Sequence, residues 1–172
     1  NIYDNNITIL TNQFLSPIAG AAPTFYRYYI ADTVEVDGTK CTKLSFFPRN
    51  KSDLLLQGDL YITFDTAYAV KKVDMTVSSD INLNWVKELK ILQEFSFLQN
   101  EAWMLTTDQF SVDLGINKNG RGLYGQRTVS FKNYLLDRAR EDSVYSGLSL
   151  VIKDSAEIKT EDYWKQARHT DL

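Results

Sequence analysis

The side chains used most often in nucleophilic catalysis are scarce in this chain. Its 172 residues include one cysteine, Cys41, and one histidine, His169, which lies close to the C-terminal end. A catalytic thiol or serine needs a base beside it, and His169 is the single candidate for an imidazole base. One Cys and one His also fall short of the usual tetrahedral zinc ligand set. We therefore expect no nucleophilic catalysis and no zinc centre, and we interpret Cys41 as a small residue within a strand.

Two further patterns match sites that bind phosphates or metals. Gly120–Gly125 fits the glycine spacing of dinucleotide-binding loops, but that motif needs a preceding parallel strand and a following helix. Here it lies between two stretches with alternating apolar residues, which favours a long hairpin loop. Asp80–Asn84 matches the start of a calcium loop, but Trp85 replaces the required glycine and Ile91 the closing glutamate. We therefore predict no cofactor and no metal.

Acidic residues recur near the predicted strand ends. They are Asp53, Asp59, Asp65, Asp74, Asp80, Asp108 and Asp113. A glycosidase would need two of them about 5–9 Å apart in a deep cleft, and no segment of the sequence indicates such a cleft. We interpret these residues as solubilising groups and predict that the chain is not an enzyme. A hydrolase acting on surface glycans or peptides stays as a third interpretation.

The composition is typical of a folded domain with a slightly acidic surface. Hydrophobic residues make up 44% and charged residues 24% of the chain, which excludes a disordered polypeptide. The net charge of −3 is the opposite of what phosphate contacts need, so we expect no nucleic-acid partner. No apolar run reaches the roughly 20 residues of a transmembrane helix.

The dominant hydrophobic period is two residues, which predicts β-strands. The predicted strands are Tyr26–Ile30, Thr33–Val36, Lys40–Phe47, Gly58–Phe64, Tyr68–Ser78, Leu89–Phe97, Trp103–Leu114 and Arg127–Leu136. Asp37–Gly38 is a strong hairpin signal, and the short connections predict antiparallel pairing. The predicted fold class is therefore mainly β (α+β), a large curved antiparallel sheet or half-barrel with few short helices.

Aromatic residues make up 13% of the chain, and two interpretations of them stay open. They could form an ordinary core, or they could line a concave face that is only partly covered and holds a lipid or a partner segment. The predicted groove residues are Phe95, Phe97, Phe110, Trp103 and Phe131. Alternation also places Met104 on the same face as Phe110. Gln93 and Asp108 interrupt the apolar face, which disfavours a membrane-spanning barrel.

The composition is even along the chain, so we predict one β-rich domain over residues 1–172. Within it, residues 1–24 form an N-terminal arm and residues 137–172 a C-terminal extension. Thr160 followed by two acidic residues predicts a short helix that ends at Arg168. Because the chain starts with Asn1, we expect it to be an excised piece of a longer protein.

Several short segments, taken in order, resemble one known group of proteins. They are Tyr3–Asn5, Phe14–Pro17, Tyr26–Tyr29, Asp37–Gly38, Phe47–Arg49 and Gly58–Ile62, with Tyr163, Trp164 and Arg168. They resemble the central domain of an uncharacterised family of Gram-negative outer-membrane proteins. Members of that family carry a carboxypeptidase-regulatory-like N-terminal domain and a predicted C-terminal barrel. The resemblance implies an outer-membrane location in the cell envelope, on the periplasmic side, and carries no catalytic residue with it.

The stretch from Lys40 to Phe97 is also similar to the half-barrel of periplasmic lipoprotein-localisation carriers. The similarity rests on Gly58–Ile62, followed through a turn by Ala69–Val73. Together the two resemblances imply a non-enzymatic, periplasm-facing interaction or structural domain of an outer-membrane protein of unknown function. Its partners would be the adjoining domains or barrel of the same parent chain. The alternative is binding of a lipid or acyl chain on the concave face.

Overall fold

The computed structural model describes residues 1–9, 11–78, 86–99, 101–115, 122–136, 141–142, 146 and 160–163. The chain divides into two compact units, Asn1–Tyr134 and Leu135–Leu172. In the second unit, residues 161–163 are helical, and the Tyr163 N–H donates to Thr160 Oγ1 at 3.3 Å. The helix predicted after Thr160 thus begins where expected, and its continuation to Arg168 lies outside the described residues. No helix in the described ranges is long and apolar enough to cross a membrane.

The described residues of the first unit form a two-stranded hairpin, a short helix and a seven-stranded sheet. The elements are β1 (Asn6–Ile9), β2 (Asn12–Leu15), α1 (Ala22–Phe25), β3 (Tyr26–Val36), β4 (Thr39–Pro48), β5 (Leu56–Thr63), β6 (Val70–Val77), β7 (Val86–Leu98), β8 (Ala102–Gly115) and β9 (Gly122–Ser130). Strands β3 to β9 pair in sequence order, each antiparallel to the next. The predicted fold class, a curved antiparallel sheet with few short helices, is confirmed.

The hairpin between β3 and β4 has the turn that its sequence predicts. Asp37 and Gly38 both have positive φ angles, 47° and 74°. Two such residues in succession are typical of a type I′ turn, whose twist matches that of the flanking strands. Asp at the first position tolerates this conformation, and Gly at the second adopts it without steric cost.

The last predicted strand, Arg127–Leu136, was placed too late in the sequence. The observed β9 spans Gly122–Ser130, so Gly122 and Gly125 lie in a strand and not in the predicted loop. Their backbone groups pair with Gly115 and Val112 of β8, and this long ladder overrides the low strand propensity of glycine. The first two residues of the predicted loop, 120 and 121, lie outside the described residues, as does Asp80–Asn84.

A β-bulge changes which side chains of β8 share a face. Glu94 pairs with Thr107 but Phe95 pairs with Leu105, so Thr106 is an extra residue in β8. One extra residue reverses the alternation of side chains beyond it. Met104 therefore lies on the face opposite Phe110, and its expected place beside Phe110 was wrong.

The sheet has an inner face that is mainly apolar and an outer face that is mainly polar. One complete rung of inner-face positions runs through Tyr28, Phe46, Gly58, Met75, Ile91, Phe110 and Arg127. On the outer face, cross-strand ion pairs join Lys43 to Asp59 at 3.1 Å and Lys72 to Glu94 at 3.1 Å. This separation explains the period of two in the sequence, because alternate residues of a strand point to opposite faces.

The segment that precedes β3 covers much of the inner face. Ile2, Ile7, Ile9 and Phe14 are buried in one core cluster with side chains of β3 to β7. Tyr26 Oη donates to the Leu15 carbonyl at 2.7 Å, which ties the segment to the sheet. The residues predicted as an N-terminal arm, 1–24, thus contain β1, β2 and most of α1, and we call residues 1–24 the arm.

Candidate functional site

The structure separates the five aromatic residues that were predicted to form a groove. Phe95 is 1% exposed and lies under the arm, where the Tyr3 ring meets it edge-on at 5.3 Å between ring centroids. Phe97 is 49% exposed, and its ring centroid lies 5.7 Å from that of its cross-strand partner Trp103. Phe110 and Phe131 line a common cavity, and Phe95, Phe97 and Trp103 are not among the residues that line it.

That cavity has a volume of about 560 Å³ and lies between β1 of the arm and the inner face of β7 to β9. Its apolar wall consists of Ile7, Ile9, Ile91, Leu105, Phe110 and Phe131. Asn1, Thr8, Gln93, Asp108 and Arg127 supply polar groups. Pockets that bind small apolar ligands typically occupy about 300–1,000 Å³ and combine apolar walls with a few placed polar groups. The cavity therefore has the size and lining of a site for an apolar or amphipathic molecule.

A chain of hydrogen bonds crosses the floor of this cavity. The backbone N–H of Ile2 donates to Gln93 Oε1 at 3.0 Å, and Gln93 Nε2 donates to Asp108 Oδ1 at 2.8 Å. Arg127 Nη2 then donates to Asp108 Oδ2 at 3.0 Å. This series of hydrogen bonds thus runs from the arm across β7 and β8 to β9.

The strand register explains why these polar groups meet. Gln93 lies directly opposite Asp108, and Arg127 lies opposite Phe110, the next inner-face position of β8. Gln93 is 4% exposed, so its amide would be costly to bury without both hydrogen bonds. Both carboxylate oxygens of Asp108 accept a hydrogen bond, which positions the Arg127 guanidinium at the cavity.

Sequence reasoning did not identify Gln93, Asp108 and Arg127 as a site. The signal was present, because Gln93 and Asp108 interrupt the apolar alternation of β7 and β8. We interpreted that interruption only as an argument against a lipid-facing surface. The arm residues Ile7 and Ile9 were also missed, since a four-residue strand such as β1 is too short to give a clear periodicity.

Several titratable groups have shifted pKa values, and each is explained by packing or local hydrogen bonding. Burial raises the pKa of the Cys41 thiol, which disfavours the thiolate and agrees with a packed strand residue. Burial also raises the pKa values of Tyr28 and Tyr134. The Thr63 hydroxyl lowers the pKa of Asp65 by donating to its carboxylate at 2.8 Å. None of these four residues lines the cavity.

The acidic residues near strand ends mostly have basic or amide partners. Asp59 pairs with Lys43, Asp74 with Lys90 at 3.7 Å, and Asp53 accepts a hydrogen bond from Asn50. Across the part of the chain that the structure describes, no three His, Cys, Asp or Glu side chains stand close enough together to hold a metal ion.

Sequence comparison places this chain in a group without an assigned activity. Residues 1–134, which include the whole hairpin and sheet, match the family of unknown function DUF5686. Neither a curated protein nor a solved structure matches the chain. The chain therefore belongs to the DUF5686 family.

Proposed function

We propose that this chain is a non-catalytic binding domain that holds an apolar ligand, such as an acyl chain, in the cavity between β1 and β7 to β9. The observation that carries the proposal is the cavity of about 560 Å³ with six apolar wall residues. Burial of apolar ligand surface contributes roughly 25 cal/mol per Å², so this wall offers a substantial driving force for an alkyl chain.

The way the arm covers the sheet supports this proposal. Arm residues fill the inner face over β3 to β7, where Phe46, Leu60 and Val73 are at most 1% exposed. At β8 and β9 the cover is incomplete, and Phe110 and Leu105 are only partly buried. The space therefore results from a cover that stops short of the last two strands.

A direct test uses decanol, a neutral ten-carbon probe, and protein with methyl-labelled isoleucine. Ile7, Ile9 and Ile91 line the cavity, whereas Ile30 of β3 is 77% exposed and outside it. We expect saturable chemical-shift changes at the first three methyl groups and none at Ile30. Changes that do not saturate, or that are equal at all four isoleucines, would contradict the proposal.

Two variants of exposed aromatic residues near β9 sharpen this test. Phe131→Ala removes one aromatic ring from the cavity wall, and this residue is 38% exposed. We expect decanol to bind about fivefold more weakly, since roughly 1 kcal/mol of binding free energy is lost with the contact. Tyr124→Ala is the matched control, because Tyr124 is 63% exposed on the outer face of β9. An equal loss in both variants would argue against the cavity as the binding site.

An interaction with adjoining domains of the same parent chain is the second candidate function. Tyr29 and Phe47 are 54% and 43% exposed, and their ring centroids lie 6.2 Å apart on the outer face of β3 and β4. Exposed aromatic pairs are frequent at protein interfaces. A photo-crosslinking amino acid at Tyr29 in the full-length parent protein should capture an adjoining domain, and one at the exposed Tyr68 should not. Equal capture at both positions would contradict this role.

The proposed location is the periplasmic side of the outer membrane. Its support is the resemblance of the segments between Tyr3 and Ile62 to outer-membrane proteins. Fractionation of cells that express the full-length parent protein tests it. We expect the protein in the outer-membrane fraction, with this domain protected from added protease until the outer membrane is opened. Recovery from the cytosol would contradict the location.

A further inference from the structure

We infer that the ligand of the cavity carries a compact anionic head, a carboxylate or a phosphate, that binds the Arg127 guanidinium. This inference rests on the proposed apolar-ligand function and adds the chemical class of the ligand, a single-chain anionic amphiphile. It depends on how Arg127 and Asp108 are exposed at the end of the hydrogen-bond chain.

The ion pair with Asp108 uses only part of the hydrogen-bonding capacity of the Arg127 guanidinium. Arg127 contacts Asp108 through Nη2 alone at 3.0 Å, whereas a guanidinium has five N–H donors. The Arg127 side chain is 67% exposed, so an incoming molecule can reach it. The planar arrangement of its donors suits the two oxygens of a carboxylate or phosphate group.

Asp108 does not cancel this attraction, because the two charges are unequally exposed. The Asp108 side chain is only 15% exposed, and both of its oxygens are occupied, one by Gln93 and one by Arg127. The ion pair therefore presents mainly its cationic partner to solvent. Asp108 and Arg127 are the two charged side chains among the described residues that line the cavity.

The positions of the apolar residues agree with such a ligand. Arg127 is the direct cross-strand neighbour of Phe110, and Phe110 is that of Ile91. Arg127 thus lies at the end of a row of cross-strand neighbours. The two other residues of this row that line the cavity, Ile91 and Phe110, are apolar. An alkyl chain lying against Ile91 and Phe110 would place its head beside Arg127.

The test compares decanoate and decyl phosphate with decanol, all below their micelle concentrations, on the full chain. We expect at least one anionic probe to bind about fivefold more tightly than decanol, as an exposed ion pair contributes up to about 1 kcal/mol. Arg127→Gln should abolish this preference, so that the anionic probes bind no more tightly than decanol to that variant. Arg127→Lys should keep part of it. Arg27→Gln is the matched control, because Arg27 is exposed on the outer face of β3.

The outcomes separate this inference from the function on which it rests. If no probe binds saturably, the apolar-ligand function itself is wrong. If decanol and both anionic probes bind equally well, the function stands and the anionic head is wrong. A preference that survives Arg127→Gln, or that Arg27→Gln reduces equally, would also overturn the role of Arg127. Weakening of the preference with added salt supports it.

Discussion

Gln93 and Asp108 face each other on paired strands, and Gln93 Nε2 donates to Asp108 Oδ1 at 2.8 Å on the inner face of the sheet. This bond joins the arm to the strands that border the cavity, because Gln93 also accepts from Ile2 and Asp108 also accepts from Arg127. A single polar pair inside an apolar face thus helps to hold the arm and to orient the exposed cation.

Replacing Gln93 with leucine should destabilise the fold even though leucine is apolar and similar in size. The change leaves the Ile2 N–H and one oxygen of Asp108 without their partner, and an unsatisfied buried polar group costs about 1–3 kcal/mol. Urea unfolding followed by tryptophan fluorescence measures this loss. Gln109→Leu on the outer face of β8 is the control, with an expected change of about 0.5 kcal/mol or less. Equal losses in both variants would contradict the role of Gln93.

Phe95 and Phe97 should differ sharply in their contribution to stability, although both were predicted to line one groove. Phe95→Ala empties a fully buried site and should cost about 3–5 kcal/mol in denaturant unfolding. Phe97→Ala removes a half-exposed ring that contacts Trp103, and we expect a cost of about 1 kcal/mol. A loss below about 1 kcal/mol for Phe95→Ala would show that its ring lines an open surface.

Stability should decrease in alkaline solution, and Tyr26 should account for part of the decrease. Burial raises the pKa of Tyr26 well above its ordinary value of 10.0, and a hydrogen bond at the Leu56 backbone offsets part of that rise. The stabilisation is complete below about pH 10 and is lost as the pH rises further, because the unfolded chain then releases a proton that the folded chain retains.

Urea unfolding at several pH values tests this prediction with the variant Tyr26→Phe. The variant loses the hydrogen bond to the Leu15 carbonyl, so it should be about 1 kcal/mol less stable at neutral pH. Above about pH 10 its stability should fall less steeply than that of the wild type. If the stability of the two proteins decreases equally steeply with pH above about pH 10, Tyr26 is not the group that causes the decrease.

Gly58 should tolerate no side chain. A Cβ atom built at this position would lie 2.1 Å from the Asp74 carbonyl oxygen and 2.7 Å from the Met75 Cα, both backbone atoms of the paired strand β6. Gly58→Ala should therefore cost about 3 kcal/mol through forced backbone shifts. Gly20→Ala is the control, since no atom beyond Gly20 and its two chain neighbours lies within 4 Å of the added methyl group, and the stability should change by less than about 1 kcal/mol. Thermal unfolding of both variants measures the difference.

The sequence by itself determined the strands and their faces wherever alternation was long and uninterrupted. The predicted strand Leu89–Phe97 lies within β7, where Leu89, Ile91 and Phe95 share the inner face, and Asp37–Gly38 forms the expected hairpin. These features depend on neighbours along the chain, namely side-chain alternation and the φ angles that a turn requires, so local patterns are sufficient to find them.

Only the tertiary structure decided which part of the inner face is covered. The arm buries Phe95, while Phe110 and Phe131 border a cavity, and no local pattern shows where a distant segment will pack. The Thr106 bulge, which reverses the face of Met104, likewise depends on pairing between two strands. Gln93, Asp108 and Arg127 meet for the same reason: strand register brings together residues that are far apart in sequence, and their energy of interaction exists only once the sheet has formed.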